Sequence, residues 1–169
     1  DFPIYIAENS KKVYFDYAKD RHVVFGDQFI DRFASSNLSL AAILAHETAH
    51  VHQERTGFLK LLLEPFGKDK YAELHADYMV GAYSNWRDRL FTKDDSRSNQ
   101  KMGAVFYELG DFYESDPAHH GRPPERWLAF QSGYAESESF DWGTGAVPVN
   151  RVALAGMRYM QRNYFDKTT

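Results

Sequence analysis

The chain has 169 residues and a mass of 19.6 kDa, with 43% hydrophobic and 26% charged residues, which is enough for one well-filled globular domain and far from a disordered composition. Its net charge of −4, from 20 basic and 24 acidic residues with no basic block, argues against nucleic acid as a natural partner. The absence of cysteine excludes disulfides, thiol catalysis and sulfur-ligated metal, and the longest uninterrupted apolar run, Leu40 to Ala45, is far too short to cross a bilayer.

Three short β-rich runs open the chain: Ile4 to Ala7, Lys12 to Tyr17 and His22 to Phe25. Turn-like breaks at Glu8-Asn9-Ser10 and Lys19-Asp20-Arg21 separate them, so a small antiparallel sheet is expected at the N-terminal end. Val13, Phe15 and Tyr17 alternate with Tyr14 and Asp16, as a half-buried strand should. A short helix is expected near Gln28 to Phe33.

Ser35, Ser36, Asn37 and Ser39 are good helix N-cap types, and they lead into the apolar stretch of Leu38, Leu40, Ala41, Ile43, Leu44, Ala45 and Ala49. Gly57 stands where that helix would stop. The helix carries His46-Glu47-Thr48-Ala49-His50. Residues four apart share one helix face, so His46 and His50 can aim two imidazole nitrogens at one point, as a tetrahedral Zn²⁺ requires. Glu47 leans over the same mouth without being forced into coordination, where a general base for an activated water should stand. Chance alone places this pattern in a chain of such composition about 2 times in 100.

Phe58 to Leu63 reads as a short helix or packed connector, closed by Pro65 and Gly67. A second long helix is expected from about Lys68 to Phe91, with Leu74, Tyr78 and Gly81 or Ala82 as its inner stripe. On it, Glu73 and Asp77 share a face. Glu73 would complete a His₂Glu set that leaves one position open for water, the arrangement of a catalytic rather than a structural zinc. Asp77, one turn on, suits an outer role, accepting the free N–H of a ligand imidazole, that of His46. Without a metal, the same residues would be a solvated helix face. His52 and His75 lie two positions from proposed ligands and are expected on the far sides of their helices, at the surface or partly buried; His22, at a strand start, reads as structural.

Thr92 to Asn99 is polar and expected to be a loop, followed by a helix near Gln100 to Tyr113. Glu114 to Pro124 cannot be regular structure, and its Pro-Pro end is suited to start a helix from Glu125 to Ala135. His119 and His120 lie on this loop, which could fold over the metal. Either His120 or Arg126 could hydrogen-bond the oxyanion of a tetrahedral intermediate, or else His120 latches a loop and Arg126 holds a structural carboxylate. Gly143 and Gly145 mark another loop before a last amphipathic helix, Val149 to Tyr164, whose stripe of Val152, Gly156, Tyr159 and Met160 reads as core. The fold class is α+β, mostly helical, over residues 1–169 as a single domain.

Three stretches together resemble the gluzincin-type zinc metallopeptidases: His46-Glu47-Thr48-Ala49-His50 followed by Gln53 and Gly57; Glu73-Leu74-His75-Ala76-Asp77 followed by Gly81; and His120-Gly121 leading to Arg126, Trp127, Phe130, Gly133 and Tyr134. They cover about half the chain, and within the clan they are most similar to bacterial neutral zinc metallopeptidases, with HtpX-like peptidases close behind. Ala49 and Tyr78 depart from the pattern, which has glycine and often cysteine there; neither is a ligand. The resemblance implies a zincin-like fold, a single zinc ion held by His46, His50 and Glu73, Glu47 as catalytic base, and His120 as the favoured oxyanion donor. It also implies a peptide or protein substrate bound in extended form beside an edge strand, and a bacterial envelope or secreted protein. The chain opens on Asp1-Phe2-Pro3 rather than on methionine, the pattern of a trimmed or processed start. The expected activity is zinc-dependent hydrolysis of internal peptide bonds. The alternatives are a zinc-binding but proteolytically silent or latent binding or chaperone module of the same fold, and a metal-free domain in which these residues form a buried polar network.

Overall fold

The computed structural model describes residues 3–16, 22–34, 36–65, 67–91, 98–142 and 148–166. Among them the chain is mostly helical with one three-stranded sheet, an α+β arrangement. Strands β1 (Ile4–Ala7), β2 (Val13–Asp16) and β3 (His22–Gly26) form the sheet in the order β1-β3-β2. It is mixed, not antiparallel as expected: β2 pairs antiparallel with β3, but β1 pairs parallel with it, Ile4 opposite Val23 and Ala7 opposite Gly26.

The reason lies in how residues 8–12 cross the C-terminal end of β3. Asp27 accepts from the backbone N–H groups of Asn9 (3.0 Å) and Ser10 (3.1 Å), and the backbone N–H of Gly26 donates to the Lys12 carbonyl at 2.7 Å. A Cβ at Gly26 would stand 2.2 Å from the Ser10 carbonyl oxygen, so only glycine lets the crossing segment pass. The crossing carries β1 to the far side of β3, out of reach of β2. Phe15, Val23 and Phe25 turn inward onto Phe29, Phe33 and Ile43, while Tyr14 faces out, so the alternation expected of β2 holds; Tyr17 lies outside the described residues.

Helix α1 (Asp27–Phe33) follows directly, then α2 (Asn37–Thr56), α3 (Phe58–Leu63), α4 (Lys70–Phe91), α5 (Ser98–Leu109), α6 (Pro123–Glu136) and α7 (Val149–Met160). The Ser36 hydroxyl caps α2 by accepting from the Ser39 N–H (3.3 Å), and Gly57 ends the helix in a left-handed conformation, φ 77°. Ser98 and Asn99, expected in a loop, begin α5, and residues 92–97 and the Gly143–Gly145 loop lie outside the described residues. The α5 helix stops at Leu109, four residues short of the expected end, because the backbone there turns to pair with the next helix's approach: Asp111 N–H donates to the Gly121 carbonyl at 3.0 Å. Beyond Met160 the expected last helix widens into a π-type turn, Gln161–Phe165.

The central element is α4. Its residues enter three hydrophobic clusters: with Trp142 and Val152, with Leu62, Ala129 and Tyr159, and with Met102, Phe106 and Phe130. A helix packed on almost every side buries polar residues along with apolar ones, and that is how His75, Asp77, Ser84 and Asn85 come to be inside. The expectation that His75 sits at or near the surface is therefore corrected; it is fully buried. The most extensive helix contact is α4 against α6, and α2 packs across α4 beside it. Val152, Gly156, Tyr159 and Met160 of α7 are buried as a core stripe. No helix among the described residues is long and apolar enough to cross a membrane.

Candidate metal centre

The α2–α4 contact brings the two halves of the sequence pattern together. His46 and His50, one turn apart on α2, turn their Nε2 atoms to within 3.0 Å of each other. Glu73 of α4 bridges them, with Oε2 3.1 Å from His46 Nε2 and Oε1 3.1 Å from His50 Nε2. These three side chains form a set able to hold one metal ion. Tetrahedral bonds of about 2.0–2.1 Å would space such ligand atoms roughly 3.3 Å apart, so an ion fits with shifts of a few tenths of an ångström.

The surroundings favour positive charge at that point. Glu47, Glu73 and Asp77 converge there, answered by Arg126 and the two imidazoles. Burial works against a charge on His46, yet the carboxylates of Glu73 and Asp77 overcome it and raise its pKa to about 10. His50 is raised too, against burial, chiefly by Glu73, while the two imidazoles hold Glu73 well below the usual carboxylate range although burial opposes this. Burial pushes the Glu47 carboxyl up. Its Oε2 is buried without a hydrogen-bond partner, an orphan that a bound water or ligand would satisfy.

Around this group stand three outer contacts. His46 Nδ1 lies 3.0 Å from Asp77 Oδ1, within hydrogen-bonding distance though off the ideal line, the pairing expected from the spacing on α4. Arg126 of α6 grips the same Asp77 with two parallel bonds, Nε to Oδ2 at 2.8 Å and Nη2 to Oδ1 at 2.9 Å, and also reaches Glu73 at 3.2 Å. Of the two roles open to Arg126 in the sequence, holding a structural carboxylate is the one its geometry displays. On the opposite flank, His50 Nδ1 is 2.9 Å from Gln53 Oε1. The role of Gln53, and its link to His75, is not foreseen by the sequence reading; the available signal is its position one turn after His50 on the same helix.

His120 lines the cleft beside the centre, its side chain half exposed and its backbone N–H donating to Asp111 at 3.0 Å. His119 points away and is buried against the other Asp111 oxygen. The loop expected to fold over the centre is thus pinned by Asp111, a residue the sequence does not single out. His52 is partly buried, and His22 packs edge-on against the Tyr5 ring with centroids 4.8 Å apart, both ordinary structural placements.

The cleft itself has a volume of about 890 Å³. Its lining includes His46, Glu47, His50 and Glu73, the segment from Lys12 to Phe15, and the apolar side chains of Ile43, Leu59, Leu63, Phe106 and Leu109. Asp69, His120 and Arg126 add polar groups. Compared with known proteins, the chain matches no family model, and no curated protein or solved structure matches it.

Proposed function

We propose that the chain is a zinc-dependent endopeptidase with a zincin-like arrangement. The reading is carried by one observation: a nitrogen, nitrogen, oxygen donor set lining an open cleft, with the buried, unpartnered Oε2 of Glu47 beside it. Two imidazoles and a carboxylate suit zinc better than the harder cations, which prefer oxygen alone. Zinc bound there supplies a water of lowered pKa and polarises a carbonyl oxygen.

The remaining work belongs to the chain. Glu47, its carboxyl raised by burial, takes a proton from the attacking water and delivers it to the leaving amine. Asp77 and Gln53 orient the two imidazoles, and Arg126 anchors both Asp77 and Glu73. Strand β2 is an edge of the sheet and lies along the cleft wall, so it offers backbone groups to an extended peptide. The apolar walls would exclude water and receive substrate side chains. His120, half exposed in the cleft lining, would donate to an oxyanion in this reading.

The test is elemental analysis and casein hydrolysis on the same preparation. One equivalent of zinc, with cleavage lost to a chelator and restored by zinc, is the expected outcome. Stoichiometric zinc without cleavage would reassign the chain to a zinc-binding module, and no retained metal would leave a buried polar network.

A further inference from the structure

We infer that Gln53 and His75 are positioning residues: together with a backbone carbonyl of α7 they form a neutral relay that dictates which nitrogen of His50 is bare. The inference deepens the metal-site reading and rests on it for its consequence, though not for its geometry.

The relay has one fixed end, on the backbone of α7. The Ala153 carbonyl oxygen can only accept, and it lies 2.9 Å from His75 Nε2, so that nitrogen carries the proton. A neutral imidazole protonated on Nε2 has a bare Nδ1. Facing that Nδ1 at 2.9 Å is the side-chain nitrogen of Gln53, which must donate to it. The same Gln53 nitrogen is 2.8 Å from the Ala72 carbonyl oxygen, a second group that can only accept. Two acceptors consume both amide hydrogens and forbid the flipped carboxamide. Gln53 Oε1 therefore faces His50 Nδ1 at 2.9 Å as an acceptor, so that nitrogen holds the proton. When the His50 ring is neutral, as a metal ligand must be, its lone pair is therefore on Nε2, the atom that faces Glu73 and His46.

Every link is fully buried or nearly so, where a polar group left unpaired is costly. Room for the relay comes from Gly156 on α7: a Cβ there would stand 2.9 Å from His75 Cδ2 and Nε2, so the glycine lets α7 come close enough to offer Ala153. The two ligand histidines are thus oriented by different devices, His46 by the charged Asp77 and His50 by a chain of neutral groups ending on backbone. A neutral relay fixes the tautomer without adding a further negative charge to a site that already has three carboxylates.

The experiment uses ¹⁵N-histidine NMR and zinc competition against a chromophoric chelator. In the wild-type protein, metal-free or loaded, His75 should show its proton on Nε2; a proton on Nδ1 overturns the relay, whether or not zinc binds. Gln53→Leu should weaken zinc by roughly 10- to 100-fold and lose the wild-type His50 Nδ1–H signal. Gln53→Glu keeps an acceptor towards His50 but removes both donors, so it should retain near-wild-type zinc affinity while the His75 signals change. A folded Gln53→Leu protein with wild-type zinc affinity, or a Gln53→Glu protein whose His75 signals are unmoved, overturns the inference. If Gln53→Leu does not fold, the Gln53→Glu protein and the wild-type spectrum decide. Failure of the wild-type protein to take zinc at all would sink the metal-site reading instead, and leave the His75 signal as the relay's own test.

Discussion

Gly81 of α4 and Gly133 of α6 lie each against the other helix's backbone: a Cβ on Gly81 would stand 2.0 Å from the Phe130 carbonyl oxygen, and one on Gly133 1.9 Å from that of Tyr78. This close crossing places Asp77, one turn before Gly81, within reach of Arg126, two turns before Gly133. Because the obstacles are backbone atoms, no rotamer change relieves them. Alanine at either position should destabilise the protein by about 3 kcal/mol or more, the upper end of what overpacking costs, and should weaken metal binding as α6 withdraws. Urea unfolding with zinc titration checks this, and a wild-type midpoint in either variant would show that the helices do not need to approach so closely.

Arg126 and Asp77 form a buried ion pair whose loss leaves a charge behind. Arg126→Met should cost roughly 3–5 kcal/mol, because Asp77 then loses its paired guanidinium and shares the His46 imidazole with Glu73 as its remaining buried partner. Arg126→Lys keeps the charge but cannot make the two parallel bonds, so it should fall between wild type and methionine. Combining Arg126→Met with Asp77→Asn should cost clearly less than the two single changes added together. A denaturation double-mutant cycle measures that coupling, and additive effects would mean that the pair contributes no interaction of its own.

These contacts also mark where the sequence stops being readable. His46, His50, Glu73 and Asp77 are legible because each pair is set by spacing on a single helix, and the only tertiary step required is that two helices meet. The partner of Asp77 is 49 residues away, and nothing local to Arg126 chooses between a carboxylate and a substrate oxygen. His75 is misread for a related reason: spacing says that it faces away from Glu73, but only packing tells that α7 covers that far side. The strands are legible from alternation, and their pairing is not, since it depends on a crossing over Gly26 that Asp27 anchors. Gln53 is silent for a third reason, because an amide acquires direction only from the acceptors that surround it.

Glu47→Gln separates the chemistry from the metal. Glutamine has nearly the same shape and leaves His46, His50 and Glu73 untouched, but it cannot take up the proton of an attacking water. Zinc stoichiometry should stay at wild type while casein turnover falls by about 10² to 10⁴. Elemental analysis and hydrolysis on one batch of protein provide both readouts. Undiminished turnover would remove Glu47 from the mechanism and leave the cleft without a base.

His75 makes the stability of the metal-free protein depend on acid in a defined window. Burial lowers its pKa to about 4, while the Ala153 carbonyl and the nearby His50 and His52 charges make smaller adjustments. In the unfolded chain the imidazole titrates near 6.5. Below that pH the unfolded chain binds a proton that the folded one refuses, so stability falls as pH drops from about 6.5 to about 4 and this residue contributes no slope above or below that window. The linkage slope is about 1.4 kcal/mol for each pH unit, which sums to roughly 3 kcal/mol over the window. Glu73, held low, loses its own contribution only at more acidic pH, so the two effects are separable. Denaturant unfolding of the zinc-free protein at about pH 7.5, 6 and 5 should therefore show the wild type weakening faster than His75→Gln as the pH falls. Parallel curves for the two proteins across that range would mean that the imidazole accepts a proton in the folded state, which its contact with Ala153 alone would not prevent but its burial would.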